Sequence, residues 1–310
     1  MKPVAIVGSI NIDLVSYLDR WPKVGETVAV RDTTSSLGGK GANQAFAAAL
    51  LGADTILLGA IGGDSFGQDA KAQLASSSVR CCLSEIPNAS TGLAFIDVGP
   101  DGNNMIRISG GANGFVSAAH VALHAEVIRN SGVVLLQNEI GLSASLEAAK
   151  IARAAGSLVI MDPAPAPDPA WKQEVFGSFD ILTPNAHEAG ELLGAQPKSL
   201  EDGEKAAVSL RKLGLRGAIV TMGDVGVAWS FDDSQGSLPA LKVKSIDTVA
   251  AGDCFNGALA TSLAEGETMR NAIAFALRAA AIATTRKGAS RSLPTRSELD
   301  NLPNPVFALN

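Results

Sequence analysis

Short β-rich runs alternate along this chain with alanine-rich stretches of helical period, and that alternation restricts the fold more than any other feature. The spacing predicts strands over residues 4–7, 56–58, 133–136, 158–161, 181–182 and 218–221, and helices over 42–51, 143–155, 203–213, 253–265 and 269–285. Strands separated by helices pair in parallel and need cover on both faces, which predicts a doubly wound, mostly parallel α/β sheet. The material for such a core is present, because 46% of the 310 residues are hydrophobic and only 18% are charged. No internal repeat of 20 to 50 residues is visible.

Two segments break the rhythm, at about 13–37 and 91–107. Both read as strand and turn with no long helix between, and Pro22, Gly25, Gly99, Pro100 and Gly102 supply turn chemistry. They are expected to form one small antiparallel sheet built from two insertions, placed as a lid beside the main sheet. The alternative is a pair of edge hairpins without a role.

The balance of charge excludes some functions. With 25 Lys+Arg against 31 Asp+Glu the net charge is −6, so the chain lacks the positive field that nucleic-acid binding relies on. Cys81, Cys82 and Cys254 cannot build a disulfide framework. His120 and His124 are spaced i, i+4, but the glutamate of the HExxH zinc motif is missing, and His187 stands alone. The chain begins with an apolar strand rather than a cleavable signal, and no window reaches the length needed to cross a bilayer. A cytoplasmic protein without membrane or nucleic-acid partners is expected, and the sequon Asn88-Ala89-Ser90 is a chance match.

In doubly wound sheets, ligands bind beyond the carboxyl ends of the strands. Polar or glycine-rich loops follow five of the expected strands: Gly8-Ser9-Ile10-Asn11-Ile12-Asp13, Gln137-Asn138-Glu139, Asp162-Pro163, Thr183-Pro184-Asn185 and Gly223-Asp224-Val225-Gly226. His187 and Glu188 lie just beyond the fourth. One such loop is ordinary; five on one rim favour a binding cleft.

Gly38-Gly39-Lys40-Gly41-Ala42-Asn43 opens the first strong helix. Its glycines permit close backbone approach to a ligand, although helix entry alone explains them equally well. It is not a Walker A loop, because Gly41 stands where Ser or Thr should follow the lysine. Nor is it a dinucleotide fingerprint, since Gln44 occupies the third glycine position. In Asp247-Thr248-Val249-Ala250-Ala251-Gly252-Asp253-Cys254-Phe255-Asn256-Gly257, small residues lead directly into a helix. The amides around Ala251, Gly252 and Asp253 would converge at the positive end of its dipole as an anion hole. Asp253 is then either a first-turn carboxylate stabilised by the dipole or a base that takes a proton from an attacking hydroxyl.

These two stretches closely resemble the signatures of the ribokinase family of carbohydrate kinases. The resemblance extends over essentially the whole chain through Pro22 with Gly25-Glu26-Thr27-Val28, Ser90-Thr91-Gly92, Gly111-Ala112-Asn113, Pro163-Ala164-Pro165-Ala166 and Thr285-Arg286-Lys287-Gly288-Ala289. It implies a single ribokinase-like domain over residues 1–310 and ATP-dependent transfer of the γ-phosphoryl group to a sugar's primary hydroxyl. The product would be D-ribose 5-phosphate if the sugar is ribose, as in the members whose sugar-side segments this chain matches best.

By the same matching, Asp253 is the catalytic base and the backbone of Ala250, Ala251, Gly252 and Asp253 is the anion hole. Asn11, Asp13, Gly39, Lys40, Gly41, Asn43 and Glu139 fall at sugar positions, where carboxylates and amides would pair with vicinal hydroxyls. Asn185, Thr221, Gly223, Asp224, Gly226 and Gly252 fall at nucleotide positions, and Glu188 at the element that holds Mg2+ through water. An activating monovalent cation, K+, is implied at Asp247, Val249, Ala283, Arg286, Gly288 and Ser292. Val249 and Ala283 have only backbone carbonyls to offer, which suits potassium better than a divalent ion. The family pattern also implies a homodimer formed through the lid.

The chain departs from the pattern at several positions. Cys254 stands where threonine usually follows the aspartate, and it is either a thiol at a helix N-terminus, whose lowered pKa would confer thiol sensitivity, or a small buried residue. Leu277 replaces a polar residue expected beside the adenine. Asp97 and Arg107 are atypical and would either reach the substrate and alter sugar choice or face solvent. The rival functions are a kinase of 2-deoxyribose, a ketose or a nucleoside on the same fold, and a non-catalytic sugar sensor, which would predict a damaged base or anion hole.

Overall fold

The computed structural model describes residues 2–100, 103–167 and 170–301. In chain order the strands are β1 (Val4–Val7), β2 (Asn11–Tyr17), β3 (Asp32–Gly38), β4 (Thr55–Gly62), β5 (Arg80–Ile86), β6 (Gly92–Val98), β7 (Asn104–Ser109), β8 (Val133–Gln137), β9 (Leu158–Asp162), β10 (Ile181–Leu182), β11 (Gly217–Thr221), β12 (Gly226–Phe231) and β13 (Ser234–Pro239). The helices are α1 (Lys40–Leu50), α2 (Ser65–Ala75), α3 (Ala118–Leu123), α4 (Ala125–Arg129), α5 (Leu142–Ala154), α6 (Gln173–Phe176), α7 (Ala186–Leu193), α8 (Leu200–Arg211), α9 (Ala251–Ala264), α10 (Met269–Ala283) and α11 (Arg296–Asp300).

Nine strands form the main sheet in the order β13-β12-β11-β10-β9-β8-β1-β4-β5. All neighbours from β11 to β5 pair in parallel; β12 and β13 continue as an antiparallel edge. Side chains alternate between the faces of a strand. Val4 and Ile6 of β1 therefore pack among α1, α2, α9 and α10. Ala5 and Val7 pack among α3, α4, α5, α7 and α8 on the other face. That two-sided cover explains why β1 is apolar throughout, β8 apolar up to its last residue, Gln137, and both buried along their whole length.

The six expected strands are all present, and five of them, β1, β8, β9, β10 and β11, are consecutive in the sheet. Their polar loops therefore emerge on one rim. The chain passes from β1 to β4 on one side and later returns to β8 on the other, so the strand order reverses at β1, where α/β sheets open a crevice. Strands β5, β12 and β13 and helices α2 and α7 were not legible as elements, and β12 begins at Gly226, inside a segment read as loop.

The two irregular segments do form a second sheet, of order β3-β2-β6-β7. Each is an antiparallel hairpin partner set, β2 with β3 and β6 with β7, but the two sets join through a parallel pair, β2 with β6. Gly102, expected to shape the second turn, lies outside the described residues. Among the described residues no helix is long and apolar enough to cross a membrane.

Helices α1 and α9 lie against each other with almost no space between them. A Cβ on Gly257 of α9 would stand 2.6 Å from the Ala47 Cβ and 2.7 Å from the Gln44 carbonyl oxygen. Gly257→Val would force the two helices apart, and overpacking of this kind costs about 1–3 kcal/mol. Urea unfolding is expected to show that loss of stability, together with loss of whatever activity depends on α1 and α9 meeting.

Candidate active site

The α1–α9 contact brings the two glycine-rich motifs together. Asp253 lies in the first turn of α9 and is 5% exposed. Its Oδ2 accepts from the Asn43 amide at 2.9 Å and its Oδ1 from the Gln44 amide at 3.2 Å, across more than two hundred residues of sequence. Asn43 and Gln44 project from α1, whose N-cap, Gly39, has φ 87°, a conformation that glycine adopts without a Cβ penalty.

Asp253 is not the N-cap of its helix. That position belongs to Ala250, in left-handed geometry at φ 59°, which is unusual for a residue with a Cβ and occurs where surroundings over-determine the backbone. The kink spends the Ala251 amide on the Thr248 carbonyl and the Cys254 amide on the Ala250 carbonyl. The amides between them, of Gly252 and Asp253, have no acceptor among the described residues. Nothing lies within 4 Å of where a Gly252 Cβ would be, and Gly252 lines an open cavity. Two unbonded amides at a helix N-terminus form an anion site.

On the other side of Asp253 stands a polar cluster from β2, α1 and the loop after β8. Glu139 Oε2 accepts from the Ser9 hydroxyl at 2.5 Å and from the Lys40 backbone amide at 3.1 Å. Ser9 in turn accepts from the Gly41 amide at 3.3 Å. Asn11 is oriented by Asn113, whose amide donates to its Oδ1 at 2.8 Å, and Asn113 is itself held by both polar groups of the Ile10 backbone. Burial, then the Glu139 and Asp253 charges, pushes the Asp13 carboxyl up to about 7. Asn43 Oδ1 is buried without a partner, an acceptor left over at the centre of the cluster.

Burial would lower the Lys40 ammonium, but Asp253, Asp162, Glu139 and Glu188 outweigh it and hold its pKa above the ordinary value. Asp162, at the end of β9, is pushed up to about 8, first by burial and further by Asp253, Glu188 and Glu139, with Lys40 opposing. It accepts from the Gln44 amide at 2.9 Å. Sequence reasoning gave no role to Gln44, Asp162 or Gln137. A buried glutamine in the alanine-rich face of α1 was the available signal.

Beyond Gly252 opens a cavity of about 590 Å3 whose lining includes Asn185, Thr221, Gly223, Asp224 and Gly226 along with Gly252 itself. One wall is apolar, built from Val227, Val243, Phe255, Leu277 and Ala280. Asn185 caps α7 through a reciprocal capping box: its Oδ1 accepts from the Glu188 amide at 2.9 Å, and Glu188 Oε2 accepts from the Asn185 amide at 2.8 Å. Glu188 is thereby fixed with one carboxylate oxygen uncommitted.

The positions assigned to a monovalent cation fall on two loops tied together by one side chain. Asp247 accepts from the Val249 amide at 3.0 Å and from the Gly288 amide at 2.9 Å. Ala283 O accepts from the Arg286 amide, and the Ser292 hydroxyl donates to the Ala289 carbonyl. The Arg286 side chain pairs with Glu298. Among the described residues no group of three or more acidic, histidine or cysteine side chains is placed to hold a metal ion directly.

The departures resolve between their alternatives. Cys254 is fully buried, and burial, with Asp253 adding and Arg286 opposing, pushes its thiol pKa up rather than down. Of its two readings the small buried residue holds, and thiol sensitivity does not follow. Asp97 and Arg107 form an ion pair at 2.9 Å with the arginine over the Phe95 ring. The register pairs Asp13 with Ala94, three residues before Asp97, so the pair occupies the face of the small sheet opposite Asp13 and does not reach the cluster.

Known proteins place this geometry. The model of the pfkB family of carbohydrate kinases matches residues 1–296. Ribokinase of Haemophilus influenzae is 37% identical over 298 residues, covering 96% of this chain and 97% of that protein. Ribokinase of Schizosaccharomyces pombe is 38% identical, covering 97% of each. The structure of Arabidopsis thaliana ribokinase complexed with ribose and ATP superposes with a TM-score of 0.86 at 33% identity, covering 96% of this chain and 97% of that one. Likeness in both sequence and fold, sustained over nearly the full length, makes this chain a member of the pfkB family of carbohydrate kinases.

Proposed function

We propose that this carbohydrate kinase transfers the γ-phosphoryl group of ATP to the primary hydroxyl of D-ribose, giving D-ribose 5-phosphate and ADP. The observation that carries the reading is the position of Asp253: a buried carboxylate between a hydroxyl-binding cluster and two unbonded amides that open toward a nucleotide-sized cavity. The Asp253 carboxylate takes the hydroxyl proton as the sugar oxygen attacks the γ-phosphorus, and the bond to the bridging oxygen of ADP breaks. The Gly252 and Asp253 amides, aided by the α9 dipole, stabilise the charge on the phosphoryl oxygens in flight.

Asn11, Asp13, Asn43 and Glu139, with the backbone around Gly39, Lys40 and Gly41, hold the sugar hydroxyls. An analogue lacking one of them leaves a buried polar group unpaired, which is how such a site discriminates. The Lys40 ammonium balances the surrounding carboxylates and draws the phosphate toward them. Asn185 and the stretch from Thr221 to Gly226 hold the phosphates and ribose of the nucleotide, with its base against the apolar wall at Leu277.

Bound with ATP, Mg2+ supplies charge neutralisation at the phosphate oxygens. The uncommitted oxygen of Glu188 fits a hydrated ion held together with the nucleotide. At the second cation position Asp247, Val249, Ala283, Arg286, Gly288 and Ser292 offer mainly carbonyl oxygens, which suits K+. Asp247 links this region to the kinked entry of α9, so an ion there would steady the two free amides.

The small sheet acts as a lid that excludes water over the sugar. It also exposes Met105, Ile106 and Ile108 on its edge strand β7, which supports a homodimer formed edge to edge through the lid. A reaction that consumes ATP supports a cytoplasmic setting.

Purified protein with MgATP is expected to release ADP with D-ribose faster than with 2-deoxyribose, fructose or adenosine, and faster in potassium than in sodium. Preference for another acceptor would move the sugar assignment, and no turnover with any would favour a sensor. Asp253→Asn should lower kcat by roughly 10² to 10⁴ while ribose binding by calorimetry changes little; near-normal turnover would remove Asp253 from the mechanism. Light scattering should give a dimer for the unaltered protein and a monomer for Ile108→Asp, which places a charge on the proposed interface.

A further inference from the structure

We propose that Gln44, which offers no free atom to a substrate, is a positioning residue of the reaction: its side-chain amide bridges Asp253 and Asp162 and sets both the orientation and the basicity of the Asp253 carboxylate. The proposal rests on the reading of Asp253 as the base.

Gln44 is fully buried on α1, and every polar atom of its side chain is committed. Its Nε2 donates one hydrogen to Asp162 Oδ2 at 2.9 Å and the other to Asp253 Oδ1 at 3.2 Å. Its Oε1 accepts from Gln137 Nε2 at 2.8 Å. The partners fix which way the amide points. Turned over, it would press its oxygen against two carboxylates and its NH2 against the NH2 of Gln137.

The neighbouring Asn43 makes the complementary contribution. It donates to Asp253 Oδ2 at 2.9 Å, and its own Oδ1 is left without a partner, free for a hydroxyl. Asn43 thus serves both base and sugar, whereas Gln44 serves the base alone. The two donors grip both carboxylate oxygens and hold the plane of the base relative to the anion site.

Gln44 also stands between two carboxyl groups in a desolvated space, where burial drives one of them, Asp162, toward its neutral form. Asp162 has no other hydrogen-bond partner among the described residues. A donor to an ionised carboxylate favours its charged form, so removing Gln44 from between the two should raise the pKa of the base. Asp253 would then carry a proton at a pH where the reaction needs it free. The charged groups around it are Lys40 on α1, Asp13 on β2, Asp162 on β9 and the Cys254 thiol beside it, with Glu139 and Glu188 acting on the same lysine. All of them are retained when Gln44 alone is changed.

Gln44→Met keeps the length of the side chain and removes its hydrogen bonds. Steady-state kinetics should show kcat reduced roughly 10- to 100-fold, as expected for a misplaced reacting group, with the sugar KM nearly unchanged. The acidic limb of the pH profile of kcat should move to higher pH. Placed in an Asp253→Asn background, Gln44→Met should change the residual turnover less than about twofold, because Gln44 acts through the group already removed.

A role in folding alone would lower the unfolding midpoint, scale turnover equally in both backgrounds and leave the acidic limb in place; that result overturns the proposal. Should Gln44→Met not fold, Gln137→Met leaves Gln44 present but frees its oxygen, and a smaller shift of the limb in the same direction is expected; an unmoved limb rejects the idea. Loss of turnover in Asp253→Asn with an unaffected Gln44→Met discards Gln44 only. Near-normal turnover in Asp253→Asn discards the base assignment, and this proposal with it.

Discussion

The contact between α1 and α9 is the constraint on which the site depends. Gly257 lets the two helices approach until side chains on one turn of α1 reach the first turn of α9. Asn43 and Gln44 then close on Asp253 from positions about two-thirds of the chain away. Both helices pack on the same face of the sheet, above β1 and β8, where the strand order reverses. The crevice, the Asp253 carboxylate and the free amides therefore share one location because one helix pair is packed without a gap.

That location is electrostatically costly. Asp13, Glu139, Asp162, Glu188 and Asp253 converge on one region, Lys40 is the cation that the last four share, and burial drives Asp13 and Asp162 toward their neutral forms. Hydrogen bonds from Ser9, Asn43, Gln44 and the backbone of Lys40 and Asn185 offset part of the repulsion. The positive end of α9 offsets more.

Much of the fold was legible because its physical origin is local. The apolar runs of β1 and β8 are buried on both faces and carry no ambiguity of register. The edge strands β5 and β13 were not legible, since half-exposed strands such as Arg80–Ile86 and Ser234–Pro239 mix polar and apolar residues without a clean period, and β12, although buried, starts at the glycine that closes the turn after β11. Helix α7 was hidden by its own Gly190 and by its shortness, although its capping box, Asn185 to Glu188, is written in the sequence. The two readings of Cys254 stayed open for a related reason. A helix N-terminus lowers the pKa of a thiol that faces it, but the sequence does not say whether the side chain points out of the helix end or under it.

By itself the sequence determined the alternation of elements, the rim on which polar loops gather, and the two glycine-rich motifs, because periodicity and backbone freedom are properties of neighbouring residues. Only the tertiary structure decided which side chains touch. It set the parallel junction inside the small sheet, sent Asp97 and Arg107 to the face opposite Asp13, and inserted Gln44 between two carboxylates that the chain holds far apart. Those outcomes depend on register and helix approach at distances below 3.5 Å, where hydrogen bonds form or fail, and no local pattern carries that information.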